Sequence, residues 1–309
     1  MKNIIRDVPI PLSGLSLGVL SIGVLLENNI VKLLCGTIGI IFISLLVLKI
    51  AIYPNLIKND LKTPVLASVS GTFPMVLMVL STYIIQINYS ASFIIWIIAL
   101  ILHCSLIIYF TKNFMTCEKF NLSEVYASYL IVYVGIGMCT ITSHFFSQQY
   151  LIGNLCFVFS TISLVFLIIL ISYRYIKLPK IKDPFKPLVC IYAAPFSLCI
   201  CAYLQSTFPK FNSVLIFMLI ATLILYIYSI AKFIEFRNLE FYPSFAAFTF
   251  PFVIAASSIK NINTYFQSSG FNIPILSSIT QIEIIIAILI VSYILVRYFI
   301  FYMSVFYKK

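Results

Sequence analysis

Apolar residues fall in long runs separated by short polar connections such as Asn55–Lys62 and Lys177–Lys186. A membrane-crossing helix needs about 20 predominantly apolar residues. Ten stretches reach that length, at about 9–27, 31–53, 64–88, 90–111, 123–145, 150–173, 187–206, 212–234, 240–260 and 275–300. No intervening segment is long enough for a separate soluble domain, so residues 1–309 read as one all-α transmembrane domain. The first run follows a brief basic start at Lys2 and Arg6. It is punctuated by Pro9 and Pro11 and has no small-residue cleavage site. It is expected to be a retained helix and not a removed signal.

Positive residues test the count. With ten spans, one side collects 17 of the 20 Lys and Arg residues, among them Arg6, Lys49, Lys62, Arg174, Lys177 and the terminal Lys308 and Lys309. Only Lys32, Lys210 and Lys260 fall on the other side. A missed or extra helix would scramble this bias. The positive-inside rule then places both termini in the cytoplasm of a cell-membrane protein.

Odd and even spans differ in kind. Pro74, Pro195 and Pro251 lie well inside odd spans, Pro11 opens the first, and the fifth carries Gly135 and Gly137 at the matching place. The series Pro11, Pro74, Gly135, Pro195, Pro251 steps by 63, 61, 60 and 56 residues, which predicts five helical hairpins with one irregular point each. Proline removes a backbone donor and frees carbonyls in the preceding turn. Irregular backbone at membrane depth is tolerated where protein buries it or where it lines a watery cavity. The odd spans are therefore expected to ring a central conduit, with the Ile/Leu/Phe-rich even spans outside. Small and hydroxyl residues gather in the odd spans, as at Ser13, Gly14, Ser16 and Gly18, at Ser68, Ser70, Gly71 and Thr72, and at Thr140, Thr142 and Ser143. Such residues also favour close helix packing.

No odd span has a central Lys, Arg, Asp or Glu. Proton-coupled carriers usually place carboxylates or histidines at mid-depth. Glu283, early in the tenth span, is the one candidate for coupling and is expected near the outer interface of a peripheral helix. His103 reads as a packing or interfacial residue, and His144, ending the fifth span, as one facing an outer vestibule. Weak dipoles suit conduction, because a conducting site must release as readily as it binds.

Composition narrows the class further. Hydrophobic residues make up 62% of the chain and charged residues 9%, against about 25% charged in ordinary soluble domains. This excludes a cytosolic enzyme, a nucleic-acid-binding domain and a secreted disulfide scaffold. The net charge of +11 is read as topology-fixing loop charge and not as a nucleic-acid footprint. Of eight cysteines, all but Cys117 lie in apolar runs, and His103 and His144 lie near none of the cysteine pairs. They are expected to be reduced packing residues, with no metal site and no cofactor.

Five segments together carry a family resemblance: Val8-Pro-Ile-Pro-Leu-Ser-Gly-Leu-Ser-Leu-Gly18, Thr63-Pro64, Tyr133-Val-Gly-Ile-Gly137, Ala193-Ala-Pro-Phe-Ser-Leu-Cys199 and Phe241-Tyr-Pro-Ser-Phe-Ala-Ala-Phe-Thr-Phe-Pro251. The chain resembles the tellurite-resistance/dicarboxylate transporter family, which includes bacterial TehA and is similar to the slow-type anion channels of plant guard cells. The resemblance implies ten helices as five hairpins in quasi-fivefold arrangement, odd helices around a central pore, and a homotrimer in the bilayer. It also implies a phenylalanine gate from the ninth helix, which here would be Phe250 of Phe248-Thr249-Phe250-Pro251. An apolar ring raises a steric and dewetting barrier to ions. The expected pore lining is Ser13, Gly14, Gly71, Pro74, Tyr133, Gly135, Pro195, Thr249 and Pro251. Tyr133 departs from the pattern, since many relatives carry a proline in that stretch.

The leading expectation is a passive or gated route for small anions. The case for anions rests on the resemblance, with the absence of an acidic ring in the odd spans beside it. The alternative is a proton-coupled or facilitated carrier of C4-dicarboxylates, sulfite or tellurite-type oxyanions. An integral-membrane enzyme would need an acid/base pair or metal cluster at membrane depth, and the sequence offers none.

Overall fold

The computed structural model describes residues 5–116, 118–146 and 149–307. Lys2, Cys117, Lys308 and Lys309 lie outside them. Among the described residues every regular element is helical: α1 (Leu12–Leu25), α2 (Asn29–Ile52), α3 (Pro54–Asp60), α4 (Pro64–Val69), α5 (Thr72–Ile84), α6 (Tyr89–Phe110), α7 (Tyr129–Tyr133), α8 (Gly137–Ser143), α9 (Tyr150–Lys177), α10 (Pro195–Gln205), α11 (Asn212–Phe236), α12 (Phe250–Ser268) and α13 (Pro274–Tyr307). Tight 3-10 segments, Asp183–Ala193 and Pro243–Phe248, lead into α10 and α12.

Eight described stretches are long and apolar enough to cross a bilayer: Asn29–Ile52, Pro64–Ile84, Tyr89–Met115, Tyr150–Lys177, Asp183–Gln205, Asn212–Phe236, Pro243–Ser268 and Pro274–Met303. Two of the ten expected spans differ. Pro9 and Pro11 delay the first helix to Leu12, leaving 14 residues, about 21 Å at 1.5 Å per residue against a hydrocarbon core of about 30 Å. The fifth is divided into α7 and α8, of five and seven residues. Gly135 lies in the intervening turn, where the Leu130 carbonyl accepts from both Val134 (2.8 Å) and Gly135 (3.1 Å). A β-carbon on Gly135 would run into the Ile131 carbonyl, so the turn requires glycine.

Burial alternates along the chain. Pro64–Ile84, Asp183–Gln205 and Pro243–Ser268 are 78–89% buried, whereas α2, α9, α11, Tyr89–Met115 and Pro274–Met303 are only 22–28% buried. These outer helices turn residues such as Leu33, Ile101, Phe166, Ile227 and Leu289 outward, the surface that hydrocarbon solvates. The buried segments close a ring: α1 packs on α5 and α12, α5 on α8, α8 on α10, and α10 on α12. Each also holds its successor, α1 with α2, α5 with α6, α8 with α9, α10 with α11 and α12 with α13.

In lipid, helix association relies on close packing and interhelical hydrogen bonds and gains little from apolar burial. The ring uses both. Ser13 and Thr72 hydroxyls lie 2.6 Å apart, Ser68 donates to Ser128 at 2.7 Å, and Thr249 donates to the Gly14 carbonyl at 3.1 Å. These hydroxyls join neighbouring inner segments at the depth of the helix breaks.

Candidate functional site: a central cavity at the helix breaks

Proline and glycine place the breaks at one level. Pro11 immediately precedes α1, Gly135 sits between α7 and α8, Pro195 is the first residue of α10, and Pro251 is the second of α12. At a first helical position the missing proline N–H costs nothing, because that donor has no intrahelical partner anyway. In the third stretch the break falls at Ser70–Gly71, and Pro74 follows within α5.

A cavity of about 60 Å³ lies between these breaks, room for about two waters by the liquid volume of about 30 Å³ each. All five inner segments line it. The first contributes Pro11 and Gly14; the third Val69, Thr72 and Met75; the fifth Leu130, Ile131, Val134 and Gly135. Leu188, Ile191, Ala194, Pro195 and Leu198 come from the seventh, and Ser244, Ala246, Ala247, Phe250 and Pro251 from the ninth. The wall carries no ionisable side chain. Its hydroxyls are Thr72, which donates to the Val69 carbonyl at 2.8 Å, and Ser244, whose Oγ has no protein partner.

Of the residues expected to line a pore, Gly14, Gly135, Pro195 and Pro251 are on this wall, and so is the expected gate Phe250. Five are not. Ser13 is bound to Thr72 and to the Ile10 carbonyl. Gly71 packs on Ile131 and Leu106. Pro74 lines a lateral groove with Ser13, Phe73 and Leu106. Thr249 is turned onto Gly14 and Gly18. Tyr133 faces the outer helix α6, donating or accepting at 2.8 Å with Thr111 and meeting the Phe110 ring edge-on at 6.1 Å. Met75 and Val134 stand where Pro74 and Tyr133 were expected, and Leu198 joins Pro195 on the wall. A step of three runs along 69, 72 and 75, along 131 and 134, and along 188, 191 and 194, with Leu198 four residues further on.

Two wider vestibules flank the cavity. One, about 320 Å³, is at the lysine-rich end and shares Pro11, Val69, Leu188 and Ser244 with the cavity wall. There Lys49 is buried, donating to the Val8 carbonyl at 2.6 Å and lying 3.6 Å from Asp60. The other, about 260 Å³, shares no wall residue with the cavity. It contains His144, Asn261 and the Lys260–Glu27 ion pair at 2.9 Å. Gly14, Met75, Gly135, Leu198 and the Phe250–Pro251 pair, the furthest wall residues along their segments, lie toward it.

Remaining ionisable groups lie off this axis. His103 is fully buried and donates Nε2 to the Val132 carbonyl at 2.9 Å, tying α6 to α7. Glu283 is on the outer helix α13 but turned inward, 2% exposed, and neither carboxylate oxygen has a protein partner. The seven described cysteines are free thiols, five of them buried.

Residues 8–299 match the family described as voltage-dependent anion channel, SLAC1. No curated protein matches the chain. Because the matched stretch takes in every segment of the cavity wall, the chain belongs to the SLAC1 family of voltage-dependent anion channels, the tellurite-resistance and dicarboxylate transporter group that its motifs resemble.

Proposed function

We propose that the chain crosses the membrane ten times as five hairpins and conducts small anions along the axis of its inner segments, with Phe250 as the gate. The observation that carries this reading is the place of Phe250. It lines the cavity beside the Thr249–Pro251 break, at the end away from the vestibule that the cavity joins. An apolar ring at a constriction excludes hydrated ions by size and by dewetting. Helices α1, α5, α10 and α12 all begin at the cavity wall, and no acidic side chain stands there to repel an anion. Membership of an anion channel family supports the same substrate class. Both termini in the cytoplasm and assembly as a trimer complete the reading.

Planar-bilayer current across a chloride gradient tests it, wild type beside Phe250→Ala. A large chloride-selective rise on truncation is the expected result; no current from either protein rejects the gate.

One observation favours the second reading, a proton-coupled carrier of dicarboxylate or sulfite-type oxyanions. Glu283 is a carboxylate buried without a hydrogen bond, and ionisable groups in that state within a bilayer commonly serve proton coupling. Accumulation of labelled malate or sulfite in liposomes under a proton gradient, lost in Glu283→Gln, would favour the carrier.

A further inference from the structure

A separate cavity of about 950 Å³ opens at the lysine-rich end, between the start of α4, the chain before α7, and the end of α9. Five cations line it (Lys62, Arg174, Lys177, Lys180 and Lys182) against one carboxylate, Glu124. The central member is Arg174, 2% exposed. Its guanidinium stacks on Tyr126 at 4.8 Å and Tyr175 at 5.0 Å, donating Nη1 to the Leu178 carbonyl and Nη2 to the Ser123 carbonyl at 3.0 and 3.1 Å. Its Nε has no partner, and no ion pair among the described residues includes it.

A buried, permanent cation held by neutral groups alone is costly, and four lysines around the same space add repulsion. Topology explains lysines on a loop surface; it does not explain an arginine buried at the base of a cavity. The fixed donor fork of arginine suits a phosphate oxygen, with lysines as mobile charges around it. Val65, Leu66, Phe114 and Phe185 give the same cavity an apolar side. Basic pockets between membrane helices are a recurrent way of holding phosphorylated headgroups.

We propose that this cavity is a binding site for a phosphate-bearing anion, with Arg174 at its base and Lys62, Lys177, Lys180 and Lys182 at its rim. The phosphate belongs either to an anionic phospholipid or to a soluble species. Val65, Leu66 and Phe185 also line the vestibule that joins the central cavity. A ligand here is thus one layer of side chains from the permeation route.

The test is thermal unfolding of the purified chain in neutral detergent, with added phosphatidylglycerol, phosphatidylcholine or inorganic phosphate. Because Arg174 also ties Leu178 to Ser123, the rim carries the substitutions. Lys177→Ala/Lys180→Ala/Lys182→Ala is compared with Lys58→Ala/Lys112→Ala/Lys119→Ala, which removes equal charge from outside the cavity. Expected is an upward shift of several degrees with phosphatidylglycerol and none with phosphatidylcholine, mostly lost in the rim variant and kept in the control. An equal shift from inorganic phosphate, also lost in the rim variant, would assign the site to a soluble phosphate. No shift with either phosphate probe, equal shifts with both lipids, or equal loss in both variants would overturn the site.

Discussion

Gly18 and Thr249 meet so closely that a β-carbon on Gly18 would lie 2.6 Å from the β-carbon of Thr249. The Thr249 hydroxyl reaches the Gly14 carbonyl one turn earlier, so α1 fixes the backbone immediately before Phe250. Thr249 cannot yield by rotating, because the atom in the way is its own β-carbon. Gly18→Ala should therefore destabilise the fold by about 1–3 kcal/mol, the usual cost of overpacking. Adding Thr249→Gly should recover part of that loss, since contacting residues couple. Denaturant unfolding of the two singles and the double checks it; an alanine variant as stable as wild type would mean that α1 and α12 are free to separate.

Side-chain size at residue 250 should set the current. Phe250→Leu should pass less than Phe250→Ala, and the alanine variant more than wild type by on the order of ten-fold or above, each ten-fold being about 1.4 kcal/mol of barrier. Single-channel recording in symmetric chloride gives the series, and a flat series would move the barrier elsewhere.

Ser244 offers a hydroxyl without a protein partner at the neck shared by the cavity and its vestibule. A passing anion is the natural acceptor. Ser244→Ala should change permeability ratios among chloride, nitrate and bromide by a few-fold, as expected from one hydrogen bond of about 0.5–1.5 kcal/mol, and leave unfolding unchanged. Reversal potentials in mixed-anion solutions measure it, with unaltered ratios counting against contact at this level.

Glu283 bears on both readings of function. Under anion conduction, Glu283→Gln should leave chloride current as it is, because the side chain lies on the outer helix α13 and not on the cavity wall. Loss of proton-driven uptake together with unchanged passive current would instead make this side chain the coupling site.

Much of the architecture is legible in the sequence, because hydrocarbon imposes it. Long apolar runs, proline and glycine at steps of about sixty residues, and the one-sided lysines are all readable without coordinates. Which face of each broken segment points to the axis is not. A helical wheel assumes continuous winding, and each break resets the angle. Beyond the turn at Ser70–Gly71 the axis belongs to Thr72 and Met75, not to Pro74. Around Gly135 it belongs to Val134, while Tyr133 is rotated toward Thr111. Proline and glycine are where the chain must bend; Pro11, Gly135, Pro195 and Pro251 meet the cavity themselves, whereas Pro74 does not. The Thr249–Gly14 contact was equally hidden, because it joins residues 235 positions apart.

The cavity shares four wall residues with the lysine-rich vestibule and none with the opposite one. In shape it is a cup and not a tube. An anion too broad to pass the level of Phe250 can reach the cup only through its mouth, and a membrane potential of one sign will drive it in while the other expels it. Block by such an anion would be sided and would make the current rectify, even though no residue on the wall carries a charge.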